Sequence, residues 1–158
     1  MGKNISKDIS WLDRDIKRWK ELGTMIPENQ LKVYEKLSMI LTGLTIVDIG
    51  CSIGFGTNIL SKYARATWGL DINPESIKFA DHVFARPNLS FNEFDIENPP
   101  SREYAKFDRV LMAEVIEHLD EPEKALQTMK TFFHEKTIGY IKNQGKALEY
   151  KNLYMKKY

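Results

Sequence analysis

At 158 residues, with 42% hydrophobic and 28% charged residues, the chain has the length of one domain and the composition of an ordinary globular protein. A formal net charge of +1 calls for neither duplex DNA nor a membrane surface, and the single cysteine, Cys51, excludes an internal disulfide and a cysteine-based zinc site. No apolar run approaches the roughly 18 residues of a membrane span and no signal-peptide pattern precedes the first helix, so the expected location is the cytoplasm. Met1-Gly2-Lys3-Asn4-Ile5-Ser6 fits a myristoylation pattern, but one too short to carry an assignment.

In chain order, residues 7–22 place Leu12, Ile16 and Trp19 on one helical stripe, with Trp11 beside it. Pro27 opens a second helical pattern through Leu31, Tyr34, Leu37 and Leu41, which Gly43 ends. Leu44–Ile49 is short, apolar and rich in β-branched residues, hence a buried strand. Thr57–Ala64 reads as a helix and Ala66–Leu70 as the second strand. Asn73-Pro74 supplies an N-cap and a proline at the first position of the next helix. Leu89–Phe94 and Arg109–Ala113 are the third and fourth strands. Pro122–His134 is helical, with Leu126, Met129 and Phe133 on one side, and Thr137–Ile141 is the fifth strand. This alternation predicts one α/β domain with a mainly parallel sheet: helices over 1–43, a core over 44–142 and a basic tail over 143–158.

The informative stretch is Thr45-Ile-Val-Asp-Ile-Gly50-Cys-Ser52-Ile-Gly54-Phe-Gly56. Gly50-Cys51-Ser52-Ile53-Gly54 fits the G-x-S-x-G pattern of a hydrolase elbow, but an elbow on the first strand lacks the preceding strands and oxyanion loop that the chemistry needs. A serine hydrolase using Ser52 is therefore the distant alternative. Glycines between a strand and a helix instead let backbone approach a ligand where side chains would clash. Asp71 ends the second strand about 20 positions on, where a carboxylate can accept both hydroxyls of a ribose. The dinucleotide pattern G-x-G-x-x-G fails at Ser52 and Phe55, and no Gly-Lys-Ser/Thr of a Walker loop is present.

The remaining pattern, Asp48-x-Gly50-x-Ser52-x-Gly54, resembles the first motif of class I S-adenosylmethionine (SAM) dependent methyltransferases. Gly69-Leu-Asp71-Ile72-Asn-Pro resembles their second-strand motif, Phe91-Asn-Glu-Phe-Asp95-Ile96 the third, and Phe107-Asp-Arg-Val-Leu-Met-Ala-Glu114-Val-Ile-Glu117-His118 the fourth. The matches run in order over residues 28–142. The resemblance implies a Rossmann-like doubly wound sheet, strand order 3-2-1-4-5, with SAM across the carboxyl ends of strands one and two. It implies that the Gly50–Gly54 loop, Ser52 included, passes under the methionine moiety and that Asp48 helps to orient it. It further implies that Asp71 holds the ribose diol, Ile72 packs on the adenine, Asp95 accepts from the adenine amino group and the Ile96 amide lies near the ring. Ser52 stands where the family usually has glycine.

Glu114, Glu117 and His118 follow the fourth strand. If the segment turns helically, the three share a face and could serve as acid/base groups or take an oxygen-favouring divalent cation. Catalytic roles are assigned to them, foremost His118 as base, and no metal is assigned. Asn98-Pro99-Pro100-Ser101 precedes the fourth strand and lacks the aromatic residue of a DNA amino-methyltransferase motif, so it reads as a turn.

After strand five the family continues with a helix and two more strands, whereas Asn143–Tyr158 is too short for them and carries lysines among Tyr150, Tyr154 and Tyr158. The expected architecture therefore lacks the C-terminal strand pair. The apolar edge of strand five is left to be covered by the tail or paired with another chain, as in a homodimer. The functional expectation is methyl transfer from SAM to an oxygen or nitrogen of a small molecule, sugar or RNA. The rival is a non-catalytic subunit of the same fold that binds a partner chain.

Overall fold

The computed structural model describes Lys17, Glu21, residues 28–143 and residues 146–151. The stripe of Leu12, Ile16 and Trp19, the Met1–Ser6 motif and the tail beyond Lys151 lie outside the described residues. Six strands form one sheet: β1 (Thr45–Ile49), β2 (Ala66–Asp71), β3 (Leu89–Glu93), β4 (Phe107–Ala113), β5 (Phe133–Asn143) and β6 (Lys146–Lys151), in the order β3-β2-β1-β4-β5-β6. The first five are parallel in the expected order 3-2-1-4-5, and β6 runs antiparallel to β5. Helices α1 (Glu28–Ile40), α2 (Phe55–Leu60), α3 (Pro74–Val83) and α4 (Pro122–Lys130) flank it.

Central strands of such a sheet are covered on both faces, and β1 and β4 are accordingly near-continuous apolar runs. Val47, Ile49, Val110 and Met112 face one side and pack with Met129 of α4, Phe132 and Ile141. Ile46 and Leu111 face the other and pack with Leu41 and Leu60, under Tyr34 and Leu37 of α1. The exception on β1 is Asp48, 1% exposed.

Several elements differ from the sequence expectation, among them β4 and β5, expected at Arg109–Ala113 and Thr137–Ile141. The helix placed at Thr57–Ala64 spans Phe55–Leu60, because Gly54 adopts φ 78 and starts it two residues earlier. The helix placed at Pro122–His134 ends at Lys130. Thr131 and Phe132 form a turn closed by Thr131 N–H to the Thr128 carbonyl (2.9 Å) and Phe132 N–H to Met129 (3.1 Å). Phe132 then enters an aromatic cluster, 5.7 Å from Phe94 and 5.3 Å from Tyr104 between ring centroids, and β5 begins at Phe133. His134 is thus a strand residue, with Nε2 3.3 Å from Asp108 Oδ1.

The tail covers the edge of β5, one of the two expected outcomes, and does so as a regular strand. Lys146–Lys151 adds an antiparallel strand, in register from Ile138–Lys151 to Asn143–Lys146. The outer edge of β5 is therefore paired within the chain, and a homodimer through that edge has no bare strand to use. The ladder explains the strand: β5 offers a row of unpaired backbone groups, and the nearest chain able to satisfy them is the segment just after it.

Candidate active site

A cleft of about 660 Å³ opens at the carboxyl ends of β1, β2 and β4, lined by the loops that follow them. Parallel α/β sheets bind ligands at this end, where the strand order reverses, and the volume is that of a small-molecule site.

The first wall is the glycine loop. Gly50 and Cys51 both donate N–H to the Leu70 carbonyl (2.7 and 3.0 Å), stapling the loop to the end of β2. Gly50 has φ 72, and a Cβ there would lie 2.2 Å from Val115 Cγ2, so no side chain fits between the loops after β1 and β4. Ser52 also has positive φ, 50, in the left-handed region that favours glycine. Its N–H donates to Asp71 Oδ2 at 2.8 Å. Among the described residues no hydrogen bond joins Ser52 to a histidine, so the elbow reading has no base. Gly54 lies behind the cleft wall, where a Cβ would meet the Phe91 ring at 2.6 Å and Ala80 at 2.7 Å.

Asp71 lines the cleft, its two oxygens held by Ser52 N–H and by Asn73 N–H (2.9 Å). Burial raises its pKa above the ordinary carboxylate value, against the downward pull of those N–H groups. Asn73 turns the chain into α3, its Oδ1 accepting from the N–H groups of Glu75 and Ser76, both at 3.0 Å. Ile72, between the two, is pushed outward and stands 44% exposed at the cleft. Asp95 and Ile96 line the wall after β3. Asp95 caps its own loop, Oδ1 accepting from Glu97 N–H (2.8 Å) and Asn98 N–H (3.1 Å) and Oδ2 from Asn98 Nδ2 (3.0 Å).

Asp48 is not among the residues lining the cleft. It is buried beneath the loop, accepting from Thr57 Oγ1 (2.8 Å) and, more weakly, from Tyr34 Oη (3.4 Å). Its pKa is raised to about 7, chiefly because burial penalises the charged form. Thr57 and Tyr34 escaped the sequence reading, since nothing in their spacing marks them as partners of an acid on β1.

The expected sharing of a face by Glu114, Glu117 and His118 does not occur. Glu114 has φ 55, a left-handed conformation that stops β4, and the short 3-10 turn begins only at Ile116. Glu114 and exposed His118 line the cleft; Glu117 does not, and its buried Oε2 has no hydrogen-bond partner among the described residues. Among the described residues no three His, Cys, Asp or Glu gather as a metal site. Glu114 is held by its N–H to the Lys142 carbonyl (2.7 Å) and by an ion pair with Lys142 Nζ. Only the register of β5 beside β4, with Lys142 opposite Ala113, brings this lysine to Glu114.

Residues 47–137, more than half of the chain, match the family described as "Methyltransferase domain". The ubiquinone biosynthesis O-methyltransferase of Paraburkholderia phymatum is 29% identical over 93 residues, covering 58% of this chain and 40% of that protein. The mitochondrial ubiquinone biosynthesis O-methyltransferase of Dictyostelium discoideum is 32% identical over 136 residues, covering 67% and 42%. The chain thus spans less than half the length of these relatives. The crystal structure of a TehB-like SAM-dependent methyltransferase from Corynebacterium glutamicum superposes with a TM-score of 0.68 at 25% identity, covering 85% of this chain and 73% of that one. No helix among the described residues is long and apolar enough to cross a membrane. With the strand order, the glycine loop after β1 and the acid ending β2 in place, the chain belongs to the methyltransferase domain family, the class I SAM-dependent methyltransferases.

Proposed function

We propose that this domain binds SAM in the cleft and directs its methyl group to an oxygen or nitrogen of an acceptor. The observation that carries this reading is the tie between Ser52 N–H and Asp71, which locks the glycine loop to the acid ending β2 beside an exposed apolar side chain, Ile72. These residues suit the group: Asp71 offers acceptors for a ribose diol, Ile72 and Ile96 offer apolar surface for an adenine, and Asp95 offers an acceptor for its amino group. The loop from Gly50 through Ser52 presents backbone to the methionine part, while Asp48 supports that loop from below through Thr57. When bound, SAM supplies an electrophilic methyl carbon on a sulfonium that departs as a neutral thioether.

The protein's part is alignment, worth a large share of such a barrier when the reacting groups are well oriented. Glu114, fixed by Lys142 at the end of β4, accepts the hydrogen bond of the acceptor and with it the proton, and His118, exposed on the same cleft, passes that proton to solvent. Glu117, half-buried and outside the cleft lining, has a structural part. Calorimetry with SAM and its demethylated product, S-adenosylhomocysteine, tests the reading. Both should bind, and Asp71→Ala should weaken each by about 1.5–3 kcal/mol, the range for charge-assisted hydrogen bonds. No binding and no shift in Tm at millimolar ligand would overturn it.

A further inference from the structure

A second cavity, about 120 Å³, shares Glu114 with the cleft. It sits between α1 and the carboxyl ends of β4 and β5. Val33, Tyr34 and Leu37 roof it from α1, and Leu111 and Tyr140 floor it from the strands. The roof follows from helical periodicity: positions 33, 34 and 37 share one face of α1. Tyr34 is fixed there twice, by its hydroxyl toward Asp48 and by its ring over Gly56, where a Cβ would lie 2.4 Å from Cζ. The cavity therefore abuts the element that carries the glycine loop.

Its chemistry is asymmetric. The walls are mostly aliphatic and aromatic, with Gln30 of α1 and the ion pair Glu114–Lys142 as the polar groups, and Glu114 is the residue shared with the cleft. An apolar cavity of about 150 Å³ takes up benzene, so one of this size suits a single ring and not a nucleotide with its sugar and phosphate. Filling it with one aromatic ring brings a ring substituent to Glu114, a hydrogen-bond acceptor on the wall of the cofactor cleft. Glu114 reaches both spaces because its left-handed backbone turns the chain at the end of β4.

We infer that this cavity is the acceptor pocket and takes a neutral single-ring aromatic molecule whose hydroxyl or amino group donates to Glu114. The inference rests on the cofactor reading above and deepens it by choosing a small aromatic acceptor over RNA. The test titrates 4-fluorophenol into protein saturated with S-adenosylhomocysteine, followed by fluorine NMR and by the methyl resonances of the protein. Methyl signals of Val33, Leu37 and Leu111 should shift while those of Ile72 and Ile96 stay. Val33→Trp, which fills the cavity, should lower the affinity for 4-fluorophenol at least tenfold and leave that for S-adenosylhomocysteine unchanged. Shifts confined to Ile72 and Ile96, equal binding by Val33→Trp, or no phenol binding to protein that does bind S-adenosylhomocysteine would each overturn the inference. Should Val33→Trp fail to fold, the wild-type methyl shifts decide alone. Failure of S-adenosylhomocysteine to bind sinks the cofactor reading instead, and the phenol-induced shifts still decide the pocket.

Discussion

Asp48 carries its cost in burial. With a folded pKa of about 7 against an ordinary value of 3.8, it holds a proton in the folded chain at pH values where the unfolded chain has released it. The sign follows from linkage: folding takes up a proton between about pH 4 and 7, so this contribution to stability is full below about pH 4 and is lost as pH rises through about 7. Three pH units at 1.36 kcal/mol each bound the effect at about 4 kcal/mol. Asp48→Asn removes the titration while keeping an acceptor for Thr57. Its stability relative to wild type, followed by urea unfolding, should improve from pH 5 to pH 8; a pH-independent difference would show that Asp48 is charged throughout. Ser52 makes the converse case. Its φ of 50 strains a serine, and Ser52→Gly should raise stability by up to about 1 kcal/mol, the relief of the left-handed backbone less the entropy glycine adds to the unfolded chain. S-adenosylhomocysteine affinity should be unchanged, which a catalytic serine would not require and a backbone cradle does.

Among the elements, the joint between α4 and β5 is where physical context outweighed local pattern. Leu126, Met129 and Phe133 continue a helical stripe, and no glycine or proline marks a stop, so the sequence reads as helix through His134. The helix stops because Phe132 gains more from the cluster of Phe94, Tyr104 and Phe107 than from another helical turn. The central strands were legible because burial on both faces writes a continuous apolar run; β6 was not, because its pairing comes from the edge of β5 rather than from an apolar pattern of its own. The site divided similarly. Gly50, Ser52, Asp71 and Ile72 lie together because a glycine loop and the next strand end are local signals. Lys142, Thr57 and Tyr34 reach Glu114 and Asp48 only through the register of the sheet and the packing of α1. Gly139 tests the joint: a Cβ there would lie 2.7 Å from Phe133 Cζ and 2.9 Å from Met129 Cε. Gly139→Val should therefore destabilise by about 1–3 kcal/mol through overpacking, with the urea m-value unchanged. A neutral result would mean that Phe133 does not fold over β5.

Across the whole molecule, the two ends of the sheet have separate tasks. The carboxyl end holds the cleft and the second cavity. The opposite end is tied by Asp108, which accepts from Thr45 N–H (2.8 Å) and Thr45 Oγ1 (2.9 Å) at the start of β1 and lies 3.3 Å from both Arg65 and His134. One carboxylate thus joins β4 to β1 and β5. Hydrogen bonds to Thr45 hold its pKa below the ordinary value, so its contribution to stability is present above the unfolded pKa and fades as pH falls through the folded one. The side chain is partly exposed, so solvent screening discounts the ion pairs, and the backbone and hydroxyl bonds to Thr45 carry most of the effect. Asp108→Ala should cost about 1–2 kcal/mol at pH 7, leaving Thr45 N–H without its partner, and the loss should shrink at pH 3. Because the sheet's length separates Asp108 from the cleft, the affinity for S-adenosylhomocysteine should match wild type wherever the variant is folded. Calorimetry at a temperature well below the variant's Tm makes the comparison: a parallel fall in affinity would mean that strand register at one end sets loop geometry at the other, and that the two ends do not act independently.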